Sequence, residues 1–372
     1  MKKDRMKITV PDGKDYDIVF RNDFDDLAGE IKAVFSDAES RKFAIITDSN
    51  VKEHHGDAVE KCLKDAGLSV YTYAFKEGES NKNLETVQDI YEFLILNRFN
   101  RRDILIALGG GVTGDMTGFV AASYLRGIDF IQIPTSLLAQ VDSSIGGKTG
   151  VDFKGYKNMV GAFKMPRLVY MNLSVLSTLS KRQFYSGMAE VLKDALLADE
   201  KFYVYILDKL YEIHDLDPEV IQNVIYKCCD IKRNIVENDP YEKGERALLN
   251  LGHTLGHAIE KYKNFEMLHG ECVALGTICA AFISKERKLI SDDEYYEIRD
   301  MMVPFFLPIT VDDIDVDEVI KLTKNDKKAI NGGVKFVLLK KAGEAFIDET
   351  VTDEEMRAAL NEIHFTEDDM KE

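Results

Sequence analysis

With 372 residues, 45% of them hydrophobic and 30% charged, the chain has an ordinary globular composition and the length of two domains. Its formal net charge of −17 argues against a nucleic acid or an anionic membrane surface as partner, since both would repel it. Five cysteines, odd in number and without C-x-x-C spacing, argue against a disulfide framework or a thiolate zinc site and point to a reducing compartment, the cytoplasm. Cys62, Cys228, Cys229, Cys272 and Cys279 read as small buried hydrophobes.

The opening MKKDRMKITV has no apolar stretch behind its lysines, so no secretory signal is expected. The two runs at 7–10 and 16–20, joined across Pro11-Asp12-Gly13, suggest a hairpin. Short apolar runs at 43–47, 70–75, 103–108, 130–133 and 168–171 have strand length, and helical stretches at 51–66 and 83–97 separate the first three. Alternation of this kind predicts right-handed crossovers and a mostly parallel sheet over residues 1–178. From residue 179 the period changes, and helices are expected at 181–198, 217–237, 245–263, 269–288 and 292–303. The longest apolar run there, near 273–283, is far short of a membrane span. A final hairpin is expected from 334–339 and 344–347. The fold predicted is an α/β N-terminal domain with a mostly parallel sheet, 1–178, followed by a mainly α-helical domain, 179–372.

Gly109-Gly110-Gly111-Val112-Thr113-Gly114-Asp115 follows a predicted strand and opens a helix. Glycines there let backbone N–H groups approach a diphosphate at a helix N-terminus. The G-x-G-x-x-G spacing is met, but not in the first βα turn, where a standard dinucleotide fold carries it. That first turn is Thr47-Asp48-Ser49-Asn50, in which Asp48 reads equally as a ribose acceptor or as a helix N-cap. The run Asp142-Ser143-Ser144-Ile145-Gly146-Gly147-Lys148-Thr149 ends like a P-loop, but Asp142 stands where the first glycine belongs. It reads as a tight turn presenting Lys148 to a phosphate or oxyanion, with a solvated turn lysine as the plainer reading.

Three of seven histidines fall close together, as Leu251-Gly252-His253-Thr254-Leu255-Gly256-His257 and His269-Gly270-Glu271. His253 and His257 are i, i+4 and share one helix face. The zinc-protease pattern fails, because residue 254 is Thr where that motif has Glu. Glu190, in Gly187-Met188-Ala189-Glu190, is the candidate carboxylate, and two imidazoles with one carboxylate would make a catalytic metal site with open positions. Core histidines with satisfied hydrogen bonds, and His269 at a helix end, are the competing reading.

Several long motifs in series resemble one family, the 3-dehydroquinate synthases of the sugar-phosphate cyclase superfamily. They are 109–115, PTSLLAQVDSSIGGKTG at 134–150, GYKNMVGAF at 155–163, GMAEVLK at 187–193, ALLNLGHTLGHAIE at 247–260 and His269-Gly270-Glu271. The resemblance implies that Glu190, His253 and His269 hold a divalent metal, zinc or cobalt. It implies NAD on Asp48, Asn50, Glu79, Lys82, the turn Gly110, Gly111, Val112, Gly114 and Asp115, and on Thr135 and Ser136, with Lys148 and Lys157 also reaching it. Asp142, Lys148, Lys157, Asn158, Lys193, Lys232, Arg246, Asn250 and His257 match the substrate pocket. Within it, His257 and Asn250 would face the phosphate beside Lys148 and Asn158, and Arg246 and Lys232 would face the carboxylate. Arg126 resembles an arginine that reaches a partner subunit, which implies a homodimer. Lys327, in preference to Lys328, is expected at the substrate phosphate.

The activity implied is conversion of 3-deoxy-D-arabino-heptulosonate 7-phosphate, a phosphorylated sugar acid, to 3-dehydroquinate and phosphate in the shikimate pathway. A C5 hydroxyl is transiently oxidised, phosphate leaves by β-elimination, the ketone is re-reduced, and an aldol closure forms the ring. NAD is recycled. Two rivals remain: another sugar-phosphate cyclase, which would not need the carboxylate partner Arg246, and a metal-dependent polyol dehydrogenase, which would release NADH and need fewer phosphate-binding lysines. A non-catalytic binding protein is the remote option.

Overall fold

The computed structural model describes residues 4–11, 14–324 and 334–365. Its chain divides into two compact units, one holding residues up to Leu179 together with Ile221–Tyr241, the other holding Ser180–Val220 and residues from Glu242 on.

In the first unit the described residues form nine strands: β1 (Arg5–Ile8), β2 (Tyr16–Arg21), β3 (Lys42–Asp48), β4 (Ser69–Phe75), β5 (Ile104–Gly109), β6 (Asp129–Pro134), β7 (Lys148–Phe153), β8 (Tyr156–Phe163) and β9 (Leu168–Asn172). Seven of them make one sheet in the order β1-β2-β9-β6-β5-β3-β4, parallel at every pairing but the β1–β2 hairpin. Side chains of a strand alternate between faces. Phe43, Ile45, Ile104, Ile106 and Leu108 accordingly pack on one side with Leu27 and Ile31 of the helix Leu27–Val34 and with Val59 and Leu63 of Asp57–Asp65. Ala44, Ile46 and Leu105 pack on the other side with Val87, Ile90 and Leu94 of Leu84–Leu96 and with Met116 and Val120 of Gly111–Ser123. Both faces are covered, which is why these strands read as continuous apolar runs. Each fully buried Ile or Leu contributes roughly 1.5–3 kcal/mol.

Register aligns Thr47 with Leu108 and Gly109 with Pro134. Asp48, the glycine turn and Thr135-Ser136 therefore meet at the carboxyl edge of the sheet, where open α/β sheets place their ligands.

Strands β7 and β8 form a separate antiparallel ribbon, an element the apolar-run pattern does not predict. Its residues alternate with glycine and lysine, and Gly118 lies so close that an added Cβ would sit 2.3 Å from Thr149 Cγ2. The helix Pro218–Asn238 is a further departure. The period groups it with the helical half, but from Ile221 on it packs in the sheet-bearing unit, with Cys229 Sγ donating to the Gln140 carbonyl at 3.5 Å and the Tyr226 ring 5.4 Å from that of Phe20. Periodicity identifies a helix but not the layer it covers.

The second unit is built on the helices Lys181–Ala198, His253–Tyr262 and His269–Glu286, with a small hairpin of β10 (Phe336–Lys341) and β11 (Glu344–Asp348). Ser180 caps the first of these, accepting from Gln183 N–H, and Asp199 both ends it in extended backbone and caps the following helix Glu200–Asp208. The helix expected over 245–263 is broken: a tight turn, Glu245–Asn250, precedes Gly252 at φ +78, and the regular helix starts at His253. Only glycine tolerates that backbone and that contact, since a Cβ would lie 2.4 Å from Thr277 Oγ1 and 2.7 Å from the Val273 carbonyl. The same crowding recurs along the helix pair. A Cβ on Gly276 would lie 1.8 Å from the Gly252 carbonyl, one on Gly256 2.7 Å from the Cys272 carbonyl, and one on Gly270 1.9 Å from the Ser186 carbonyl. None of the five cysteines is in a disulfide, and four are buried, with Cys62 half-buried. Among the described residues no helix is long and apolar enough to cross a membrane.

Gly276→Ala should force the two helices apart, at a cost of about 1–3 kcal/mol in urea unfolding. An unchanged midpoint would show that the contact can relax.

Candidate active site

The sheet-bearing unit gathers one set of the expected residues. Strand β5 runs into Gly110, which opens the helix Gly111–Ser123 without a side-chain cap, so no side chain of Gly110 competes for the first backbone N–H groups, the kind of helix end that suits an anion. A Cβ on Gly110 would meet Ser136 Oγ at 3.3 Å, and one on Gly114 would meet Gln132 Oε1 at 2.8 Å. Thr135 N–H donates to the Gly109 carbonyl at 3.0 Å and Ser136 Oγ accepts from Ala139 N–H at 3.2 Å. Asp48 accepts from Val51 N–H at 2.9 Å, so it does cap the short helix Ser49–Val51, and its other oxygen lies 3.4 Å from Thr113 Oγ1. Asn50 beside it is exposed.

Lys82 is the buried centre of this set. Its ammonium donates to Asp115 at 2.6 Å and to the Asn158 side-chain oxygen at 2.7 Å. Burial opposes its charge, but Asp115 and Glu79 outweigh that and push it up to about 12. Asn158, expected at the substrate, is thereby joined to a residue expected at NAD. Its own N–H donates to Asp152 at 2.8 Å and its backbone is left-handed, φ +53. Lys157 lies 3.5 Å from Glu79. Lys148 is exposed at the start of β7, after Gly146 and Gly147 at φ +92 and +66. Lys232 donates to both the side chain and the carbonyl of Asp142 at 2.5 Å. Arg126 is exposed, with φ +70.

The helical unit gathers the rest. Glu190, fully buried, places Oε1 3.2 Å from His269 Nε2 and 3.5 Å from His253 Nε2, while Oε2 lies 2.7 Å from the Lys193 ammonium. Lys193 also lies 2.9 Å from Asp194. His253 Nδ1 meets the Leu251 carbonyl at 3.0 Å, which fixes the tautomer and leaves Nε2 directed to Glu190. His257 lies near both, edge-on to His253 with ring centroids 5.0 Å apart and tilted to His269 at 5.7 Å. Arg246 is 1% exposed, and Asn250 donates to Glu242 at 3.2 Å and to the Ala247 carbonyl at 3.1 Å. Lys327 and Lys328 lie outside the described residues.

These donors suit a divalent ion. Two nitrogen or oxygen ligands about 2 Å from a tetrahedral centre are roughly 3.3 Å apart, close to the spacings of Glu190 from both imidazoles. The three imidazoles form an alternative triad, with ligand atoms within 4.8 Å of one another. Glu190 is the stronger candidate for a third ligand, because a negative charge there would offset that of an ion. Burial works against ionisation of Glu190, but Lys193, His253 and His269 hold it well below the usual carboxylate range. Burial and the neighbouring cations push His253 down to about 3. His269, against burial, is pushed up to about 10 by Glu190 and Glu260.

Sequence reasoning missed three carboxylates around this cluster: Asp194, Glu260 and Glu271. Glu271 stands three residues after Leu268, whose N–H donates to it at 2.8 Å, and it pairs with Arg182 at 2.6 Å. That capping position, and Glu260 seven residues after His253, were the available cues.

Models of the 3-dehydroquinate synthase N-terminal and C-terminal regions match residues 72–186 and 187–329. A 3-dehydroquinate synthase of Ruminiclostridium cellulolyticum is 43% identical over 333 residues, 90% of this chain and 92% of the relative. Among solved structures, 2-epi-5-epi-valiolone synthase of Streptomyces hygroscopicus, with NAD+ and Zn2+ bound, superposes at TM-score 0.86 and 26% identity, covering 94% of this chain and 96% of its own. A 2-deoxy-scyllo-inosose synthase complexed with carbaglucose-6-phosphate, NAD+ and Co2+ superposes at 0.85 and 26% identity, covering 96% of this chain and 99% of its own.

His269→Ala should lose bound metal and turnover together, and retention of both would remove His269 from the ligand set. His269 must shed a proton to offer Nε2, whereas His253 is already neutral and Glu190 already ionised. Zinc binding should therefore release about one proton per ion between about pH 7 and pH 9, read by calorimetry in buffers of different ionisation enthalpy. Release near zero would contradict the charge state assigned to His269. The chain is an enzyme of the 3-dehydroquinate synthase family.

Proposed function

We propose that the chain converts 3-deoxy-D-arabino-heptulosonate 7-phosphate to 3-dehydroquinate and phosphate, using recycled NAD and one zinc or cobalt ion. The observation that carries this reading is the convergence of Glu190, His253 and His269 beside Lys193, in a chain 43% identical to a 3-dehydroquinate synthase. Glu190, His253 and His269 would hold the metal. The sheet-bearing unit would hold NAD, its diphosphate at the Gly110–Asp115 turn, with Asp48, Glu79 and Lys82 beside it. When bound, the ion supplies polarisation of a hydroxyl or ketone oxygen, and NAD supplies a reversible hydride acceptor.

The chain's own residues bind, orient and neutralise. Arg246 presents a nearly buried guanidinium that matches a carboxylate bidentately, which distinguishes a sugar acid from a plain sugar phosphate. Lys193 is an ammonium held on two carboxylates, and it stays in place while an anion approaches. Lys148 and His257 are exposed and suit the phosphate. The active species in this reading is a cytoplasmic homodimer, with Arg126 reaching the partner subunit, and neither nucleic acid nor membrane is a partner.

The two solved cyclases favour a second reading, another sugar-phosphate cyclase, but at 26% identity against 43% they are the more distant kin. Incubating the chain with catalytic NAD+, a divalent metal and the seven-carbon substrate should release phosphate without net NADH, and a chelator should abolish release. Phosphate release only from a sugar phosphate lacking the carboxylate would support the rival cyclase, and NADH accumulation with glycerol would support a dehydrogenase. Arg246→Ala should weaken substrate binding by about tenfold or more with metal content unchanged. Loss of metal would refute the carboxylate role.

A further inference from the structure

The two histidines facing Glu190 differ in how their second nitrogen is held. His253 follows the left-handed Gly252, and its Nδ1 finds the nearby Leu251 carbonyl at 3.0 Å. His269 is the first residue of its helix, and a side chain there points back off the helix end, away from the carbonyls of its own turn. Its Nδ1 faces Glu260, with Oε2 at 3.9 Å. That carboxylate is 1% exposed. Burying a carboxylate costs several kcal/mol unless a positive charge or a set of donors compensates it. Glu260 lies on the helix that carries His253 and His257, seven and three residues further on, so two turns of one helix carry both a ligand and this carboxylate.

We propose that Glu260 is a positioning residue for the metal centre, orienting His269 through Nδ1 so that Nε2 is the ligating atom. The inference rests on the metal-site reading above. Its geometry is that of a carboxylate–histidine–metal relay, in which the outer carboxylate fixes the ring and raises its basicity. The 3.9 Å separation exceeds a hydrogen bond, so the contact is an ion pair that shortens to a hydrogen bond once the ring turns toward the ion.

Zinc affinity of the purified full chain, measured by competition with a chromogenic chelator, tests this. Glu260→Gln keeps the shape and removes the charge, and it should weaken zinc binding by about 10- to 100-fold. Glu260→Asp should restore part of that loss, a rescue that a space-filling role would not produce. His253→Ala serves as the control for the site itself. If Glu260→Gln binds zinc within about twofold of the parent while His253→Ala loses it, the positioning role is overturned and the metal site stands. If His253→Ala also binds as the parent does, the site reading falls and this inference falls with it. A measurement on the parent chain covers the case in which the variants do not fold. In the zinc-loaded protein labelled with 15N-histidine, His269 should show a protonated Nδ1, and a metal-bound Nδ1 would overturn the proposal.

Discussion

The close approach of two helices, His253–Tyr262 and His269–Glu286, governs the chemistry of the helical unit. Their backbones nearly touch because Gly252, Gly256 and Gly276 present no side chain at the crossing, and Gly270 does the same against Ser186 of Lys181–Ala198. Any Cβ at these points would lie 1.8–2.7 Å from a backbone carbonyl, well inside contact distance. Helices separated by ordinary side chains sit about 8–10 Å apart. The rings of His253 and His269, the first residues of the two helices, lie with centroids 5.3 Å apart. Gly252 has a second effect, since its left-handed backbone ends one turn, starts the next helix at His253 and leaves the Leu251 carbonyl aimed at Nδ1.

Charge follows a consistent rule in both units. A chain of net charge −17 that handles anions needs cations at chosen points, and a buried cation needs a counter-charge. Lys82 sits on Asp115, Lys232 on Asp142, and Lys193 between Glu190 and Asp194. Such pairs hold each ammonium in one place, so little reorganisation is needed when a negative group arrives. Glu190 has two duties: it faces the two imidazoles with one oxygen and anchors Lys193 with the other. Changes at Lys193 and at His253 or His269 are therefore coupled energetically through Glu190 and will not add.

Much of the fold was legible in residues because period and strand length carry it. The alternation of apolar runs with helical stretches gave the parallel sheet, and the helix Lys181–Ala198 was located to the residue. The β7–β8 ribbon was not legible, since Lys148–Phe153 and Tyr156–Phe163 mix glycine, lysine and aromatics without a clear apolar face. The break at Gly252 was also hidden. A lone glycine within a helical period marks either a tolerated weak point or a left-handed stop, and only its neighbours decide which.

For the site, sequence alone determined the residue types: two histidines on one helix face, a third opening the next helix, a glycine turn after a strand, and lysines in a chain that is otherwise acidic. Spacing within one element is a local property, which the 3.6-residue period makes readable. Which of those groups meet was decided by tertiary structure. Asn158 with Lys82, Lys232 with Asp142 and Glu260 with His269 are separated by 76, 90 and 9 residues, and nothing in the intervening sequence encodes the contact. Even the short 9-residue separation spans two helices. Convergence of that kind depends on the packing of whole elements, and for Glu260 with His269 that packing includes glycines whose importance shows only once their neighbours are in place.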